Sequence, residues 1–584
     1  MGNSHSHSVP ATLHHSASFT EKPRRQAATV REIRKRPSFA AALNCTSSRP
    51  FSETAFSASS SQLDRDGRDS DAHGSERPPL HALVSVDLLD DETVSSYKKF
   101  LKQYPEYQLT WVVDALRRSD FARLDHAGET YVDFMGGSLY PDSLVRTHTD
   151  FLRNNILGNT HSVSNSSRLS ATCASEARRE ILSFFRAPPG YTVIFTPNAT
   201  GALKLVGESF PFVDGSKYIL GADSHNSVHG IRRFAERRGA TVHYLESTLR
   251  GGVDPEETKA LLLEHQPKDS AAAPSLFALT GQSNVTNAKN PLSLLGFAEN
   301  LGYNTLLDAA ALVPTSSFSL TSTPADAVAI SFYKMFGFPT GIGALIVKES
   351  FLKKLERPWF AGGTVDIVQA PGSIFTMVDN PHEQFEDGTI NYLNLCAITE
   401  GLRFLSKYIP FLPLRLSSLT HYLISSLSEI HYEGTSKPVV RIVSRRPAKR
   451  VMSIGEPSDT GFTISLIFLD VKGEMIPNSF IEHAASARRI SLRTGCMCNP
   501  GGVTALLDLR EEMNKLYPGV TMADFEKYLG IEAGVVRISL GLASNFSDML
   551  KVVQFAESIG RERDRDVMWQ AYLADKANGN AGGH

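Results

Sequence analysis

The feature that most constrains this chain is a series of short, continuous apolar runs separated by stretches long enough to hold a helix. They are YTVIFT (191–196), KYILGA (217–222), SLFALT (275–280), NTLLDA (304–309), AVAISF (327–332) and IGALIV (342–347). Runs this short, apolar on both sides of the pleat, predict strands covered on both faces. Parallel neighbours need a crossover connection, and the intervening helical stretches supply one for most pairs. The expectation is therefore an α/β domain with one large, mainly parallel sheet. Beyond about residue 365 the texture changes to a long helix (LNLCAITEGLRFLSKY), an extended GFTISLIFLD (461–470) and a final VVRISLGLA strand (535–543), which predict a smaller α+β domain.

The ends differ from this pattern. Residues 1–85 are rich in Ser and Arg without apolar periodicity, and are expected to be a disordered leader. Its stretch PRRQAATVREIRKRPSFAAAL resembles mitochondrial presequences in charge, and the opening Met1-Gly2 fits a short myristoylation pattern; a plain solvated tail fits as well. The charged stretch 444–459 is expected to be a surface loop and residues 566–584 a flexible tail. A net charge of −2 gives no basic field to draw nucleic acid or membrane. Five scattered cysteines make no disulfide framework, and no run approaches the ~18 apolar residues of a membrane span. A cytoplasmic location is expected, with mitochondrial as the alternative.

Four ligand-type signals fall at strand ends, where open α/β sheets bind ligands. The turn Pro197-Asn198-Ala199-Thr200-Gly201 enters a helix, so its free N–H groups suit a phosphate; Thr200 also fits an ordinary helix cap. Asp308 ends an apolar strand, where a carboxylate is costly unless it meets a cation such as a protonated pyridine nitrogen. Lys334 lies between two apolar strands beside a Gly/Pro turn, where a lowered pKa would favour imine formation with an aldehyde. Either residue alone fits a structural ion pair, but Lys334 follows Asp308 at a spacing of about one βα unit. Arg537 offers a fork for a substrate carboxylate, or a surface salt bridge.

These segments resemble the pyridoxal-phosphate (PLP) dependent cysteine desulfurases of aminotransferase class V, and most closely the amino-terminal desulfurase domain of eukaryotic molybdenum cofactor sulfurases. The resemblance runs through LDHAGETYVDF (124–134), HSVSNSSRLSA (161–171), VIFTPNATGALKLVGESFPF (193–212), DSHNSVHGIR (223–232), LDAAALVPTS (307–316), SFYKMFGFPTGIGALIV (331–347), AGGTV (361–365), LRTGCMCNPGG (492–502) and VVRISLG (535–541). It implies the PLP-dependent aminotransferase fold (fold type I), with a large PLP-binding domain over 86–365 and a small α+β domain with a cysteine loop over 366–565. The N-terminal segment is expected to contribute to the small domain.

The resemblance further implies Lys334 as the Schiff-base lysine, Asp308 on the pyridine nitrogen, and His225 stacked on the ring and handling protons. Asn198, Ala199, Thr200, Ser331 and Tyr333 would hold the cofactor, with Thr364 donated across a homodimer. Asn284 and Arg537 would grip the substrate carboxylate, and Cys498 would take up sulfur as a persulfide, with Cys496 in reserve. The glycines and Pro500 around these cysteines suggest a flexible loop. Cys-x-Cys also fits half a zinc site or a pair of inert thiols.

Two departures matter. The sequence ends about forty residues after VVRISLG, so an acceptor domain is expected to be missing, and Gly502-Val503 stand where the family has another cysteine. The expected activity is conversion of L-cysteine to L-alanine by a PLP-dependent sulfurtransferase with an unknown acceptor. The alternatives are a PLP-dependent amino-acid lyase or C–C bond-forming enzyme, and a non-catalytic partner protein of the same fold.

Overall fold

A computed structural model describes residues 91–579, all within one of the chain's two units, Arg77–His584. The expected leader and the last five residues lie outside the described residues. After a short strand β1 (Thr130–Tyr131), the apolar runs form β2 (Tyr191–Thr196), β3 (Lys217–Gly221), β4 (Thr241–Leu245), β5 (Leu276–Thr280), β6 (Asn304–Asp308), β7 (Ala327–Ser331) and β8 (Gly343–Lys348). They make one seven-stranded sheet in the order β2-β8-β7-β6-β5-β3-β4. Only β8 runs against its neighbours. It follows β7 through a five-residue helix and a turn, too short for a parallel crossover.

Alternate residues of each strand feed two separate cores, as the two-residue period requires. Val193, Ile219, Leu307, Val328 and Ile346 join one apolar cluster, while Ile194, Leu220, Leu306, Ala329 and Leu345 join the other. The fold is thus α/β with both faces of a mixed sheet covered. β4 was not among the expected strands: it is an edge strand whose Thr241 is exposed and whose sequence, TVHYL, carries polar residues.

The C-terminal half adds a β9–β10 hairpin (Val365–Val368 and Phe375–Met377). It then forms β11 (Val440–Ile442), β12 (Thr463–Phe468), β13 (Ile490–Ser491), β14 (Arg493–Gly495) and β15 (Val535–Ser539). β11-β12-β15-β14 is an antiparallel sheet, and β13 pairs with β1. Residues 566–577, expected in a flexible tail, instead continue a helix, Glu562–Ala577. It is held because Met568 and Tyr572 are buried against Phe480 and Trp569. No helix among the described residues is long and apolar enough to cross a membrane.

The first helices pack on the last ones. Phe100 stacks with Tyr104, Tyr107, Tyr422 and Phe546, and two buried arginines cross the same seam. Arg415 bonds Asp114 and the Ser544 carbonyl, while Arg117 bonds the Ala543 carbonyl and Asp548, the latter at 3.1 Å. Removing one member of such a pair strands the other charge. Arg117→Ala, which leaves the buried Asp548 with no cation, should cost about 3–5 kcal/mol of stability, measured by reversible denaturant unfolding; a loss below about 1 kcal/mol would show that the pair does not tie the seam.

Candidate active site

The C-terminal ends of β2, β3, β5, β6 and β7 open on one side of the sheet, and the loops leaving them enclose a cavity of about 120 Å³. Nine expected residues line it: Asn198, Ala199, Thr200, His225, Asn284, Asp308, Ser331, Tyr333 and Lys334. Each arrives by simple local rules. Asn198 is in an extended conformation and caps the helix Ala199–Ser209 by accepting from Gly201 N–H, which aims that helix's N-terminus at the cavity. Ser331 ends β7 and accepts, through its hydroxyl, the Ala199 N–H at 2.8 Å. Thr200 and Ser227 share a hydroxyl hydrogen bond of 2.7 Å.

Lys334 sits in the short helix Phe332–Phe336 and is fully buried. Burial pulls its pKa below the ordinary lysine value, Asp308 partly opposing, with Arg537 and Arg493 lowering it further. Asp308 is 8% exposed and accepts one backbone N–H, from Ala310 at 3.1 Å. The two form no salt bridge with each other, though Asp308 acts on Lys334 through space. A buried carboxylate with one neutral donor still calls for a cation.

His225 is pushed below its usual pKa by burial, Asp308 opposing and Lys334 adding. Its Nδ1 accepts from Ser227 N–H at 3.2 Å, which leaves the proton of the neutral ring on Nε2. Tyr333 is also shifted, upward, by burial. The residues present fit pyridoxal phosphate on this geometry. Lys334 would supply the amine, Asp308 would meet the ring nitrogen, and the helix end with Thr200 and Ser331 would hold the phosphate.

Three expected residues lie outside the cavity lining. Arg537 is no surface residue: it is 1% exposed, donates to the Asn284 carbonyl at 3.2 Å, and is ion-paired with Asp133. Thr364 is buried with its hydroxyl closed on Ala361, accepting its N–H and donating to its carbonyl, both at 2.9 Å. Cys498 is exposed at the rim, where its carbonyl accepts from Asn226 N–H at 2.7 Å and the adjacent Met497 carbonyl accepts from Asn284 Nδ2 at 2.9 Å. Cys496 is half-buried against a small apolar cluster.

The cysteine loop is not the loose segment its glycines suggested. Asn499 is fully buried, and Pro500–Leu507 is a helix. Among the described residues no three His, Cys, Asp or Glu side chains gather in a geometry that could hold a metal ion.

The sequence reading missed Asp133, Gln282 and Asp223. Gln282 lines the cavity 1% exposed with neither amide atom hydrogen-bonded. Its signal was a polar residue just past an apolar strand, two before Asn284. The LDHAG half of the 124–134 match caps a helix, Ala122–Ala127, while Asp133 from its other half meets Arg537.

A family model described as aminotransferase class-V matches residues 130–442. The chain belongs to the aminotransferase class-V family. It is 35% identical over 469 residues to a molybdenum cofactor sulfurase of Bos taurus, a match covering 75% of this chain and 51% of the relative. The chain thus spans about half the length of that relative, and 60% of a tomato relative (Solanum lycopersicum) of the same name, 31% identical over 499 residues and 80% of this chain.

Among solved structures, a cysteine desulfurase from Thermococcus onnurineus NA1 matches with TM-score 0.59 and 21% identity over 76% of this chain and 97% of that one. A C-DES mutant with glycine covalently linked to its PLP cofactor matches with TM-score 0.54 and 17% identity over 76% and 99%. These two share the fold, fold type I.

If Lys334 is the residue that holds the cofactor, the purified protein is yellow and Lys334→Ala loses the visible absorbance band of a lysine-linked pyridoxal. An unchanged band in the variant, read by absorption spectroscopy, would exclude Lys334 from that role.

Proposed function

We propose that this chain is a PLP-dependent, cysteine desulfurase-like sulfurtransferase that converts L-cysteine to L-alanine and takes the sulfur on Cys498. The observation that supports this reading is an exposed cysteine whose loop is bonded to Asn226 and to the pocket residue Asn284, beside a pocket lined by a buried lysine and a buried carboxylate. Its relatives bear the name molybdenum cofactor sulfurase, and the first of its structural neighbours is a cysteine desulfurase.

Bound pyridoxal phosphate would supply an aldehyde for amino groups and a ring that withdraws electrons from the substrate Cα. The chain's own residues do the rest. Lys334, kept toward its neutral form by burial, would be the amine that holds the cofactor. Asp308 would face the ring nitrogen and favour its protonated form, and His225, with its Nε2 proton, is placed to move a proton at the substrate. Asn284 lines the pocket and can donate to a substrate carboxylate once its bond to Met497 is exchanged. Arg537 backs that site through the Asn284 carbonyl, and a substrate carboxylate must compete with Asp133 for its guanidinium.

Cys498 then accepts the sulfur. Cysteine plus the Cys498 thiol gives alanine plus the Cys498 persulfide, with one C–S bond broken and one S–S bond formed. The thiol's proton and the substrate's electron pair end on alanine's methyl carbon, so no external oxidant is needed.

A second copy of the chain is the expected partner in solution. The β9–β10 hairpin leaves Ile367, Ile374 and Phe375 exposed, with Phe360 packed on Phe375 at 4.6 Å between ring centres, an apolar surface that suits a subunit contact.

Cys498→Ser should abolish cysteine-dependent sulfide release while leaving the cofactor's absorbance intact, and Cys496→Ser should retain most of the rate. Sulfide and alanine are measured together in each variant. If both variants turn cysteine over at the unmutated rate, the persulfide route is wrong.

A further inference from the structure

The parts of the proposed reaction are joined through a carboxylate that stands apart from the pocket. Asp223 follows β3, two residues before His225, and is 2% exposed. Its Oδ1 accepts from Ser283 Oγ at 2.6 Å and from Asn499 Nδ2 at 2.7 Å. Its Oδ2 accepts from Thr286 Oγ1 at 2.6 Å and from Gly252 N–H at 2.8 Å. Four donors and no cation satisfy it.

Besides the Gly252 loop, this one side chain therefore binds together the three segments that carry the proposed chemistry. They are the turn that carries His225, the loop that carries Asn284, and the loop that carries Cys498. Asn499 reinforces the join by donating to Asn284 Oδ1 at 3.0 Å, while its own Oδ1 accepts Gly502 N–H at 2.9 Å to start the helix Pro500–Leu507. Close approach is built in as well. A Cβ at Gly501 would stand 2.1 Å from the Ala222 carbonyl oxygen, so only glycine lets the loop reach β3's end.

The seat holds an unfavourable backbone. Met497 and Cys498 take φ values of 53° and 56°, the left-handed region that residues with a Cβ avoid. A free loop would relax from it. What keeps it is the pair of bonds from Asn226 and Asn284 to the Cys498 and Met497 carbonyls, with Asn499 anchored on Asp223 just beyond.

We propose that Asp223 and Asn499 are positioning residues that latch the Cys498 loop onto the pocket rim and so set where the acceptor thiol stands. The role deepens the desulfurase reading above and rests on it for its catalytic part. Neither residue reacts; both act through the loop.

The decisive variant is Asn499→Asp in the protein loaded with pyridoxal phosphate. It keeps the side chain's size and its acceptor for Gly502, and Asn and Asp cap helices about equally well. It replaces the donor facing Asp223 with a second carboxylate. A residue that serves only as a cap would leave every readout unchanged.

Hydrogen exchange followed by mass spectrometry needs no substrate. Peptides covering 225–229 and 495–500 should exchange about tenfold faster in Asn499→Asp, with the strand peptide 304–308 unchanged. With cysteine present, kcat for alanine should fall about tenfold while KM stays within a factor of about three. Asn499→Ala, should the aspartate variant fail to fold, is expected to do the same.

Unchanged exchange in these peptides overturns the latch, and faster exchange with unchanged kcat overturns the positioning role. If the unvaried loaded protein makes no alanine from cysteine, the desulfurase reading falls and the exchange result alone decides whether Asp223 and Asn499 seat the loop.

Discussion

The rest of the structure depends on one electrostatic constraint, a carboxylate buried at the end of a parallel strand with no cation beside it. Asp308 ends β6, whose register with β7 pairs Asp308 with Ala329. Two residues further β7 ends at Ser331, and the turn that follows buries Lys334. Burial pulls the Lys334 pKa down, toward the neutral amine. Asp308 and Lys334 form no salt bridge, though the carboxylate still acts on the lysine through space. A ligand that brings a cation to Asp308 and an aldehyde to Lys334 resolves both costs at once, which is why pyridoxal phosphate fits here and a simple anion does not.

The two cores hold these ends in place. Every strand that contributes to the pocket is covered on both faces, so its terminus is fixed by side chains that point away from the chemistry. The C-terminal half then brings the remaining parts across. β15 carries Arg537 under the Asn284 loop, and β14 leads directly into the cysteine loop. Aromatic stacking and the buried Arg117 and Arg415 fasten the first helices to the last, which frames the strand β15 that supplies Arg537.

Much of this was legible in the sequence because it follows from burial alone. The six expected strands form, within a residue or so at each end, because continuous apolar runs have few other ways to be satisfied. β4 was not legible, because an edge strand needs no continuous apolar run. The helix Glu562–Ala577 was hidden for a related reason: only Met568 and Tyr572 are buried, too few to stand out in a charged sequence. In the site, Lys334 and Asp308 stand out because charge amid apolar residues is conspicuous, whereas His225, set among polar residues, was reached only through the family resemblance. Asp223 could not be found, because its meaning lies in contacts with Asn499, Ser283 and Thr286 from distant segments, and Gln282 carried only the weak signal of a polar residue just past an apolar strand. The glycine-rich cysteine loop misled for the opposite reason. Its glycines allow close packing against Ala222 and Asp223, where composition alone suggests freedom.

The central claim is that a pocket built for pyridoxal phosphate passes sulfur from cysteine to Cys498. It is tested most directly by one turnover of the loaded protein with L-cysteine, quantifying the small-molecule product and mapping the Cys498 peptide by mass spectrometry without reductant. The account predicts alanine in amounts matching a gain of one sulfur atom on Cys498. Pyruvate and ammonia in place of alanine, with Cys498 unmodified, would contradict it and point to a lyase.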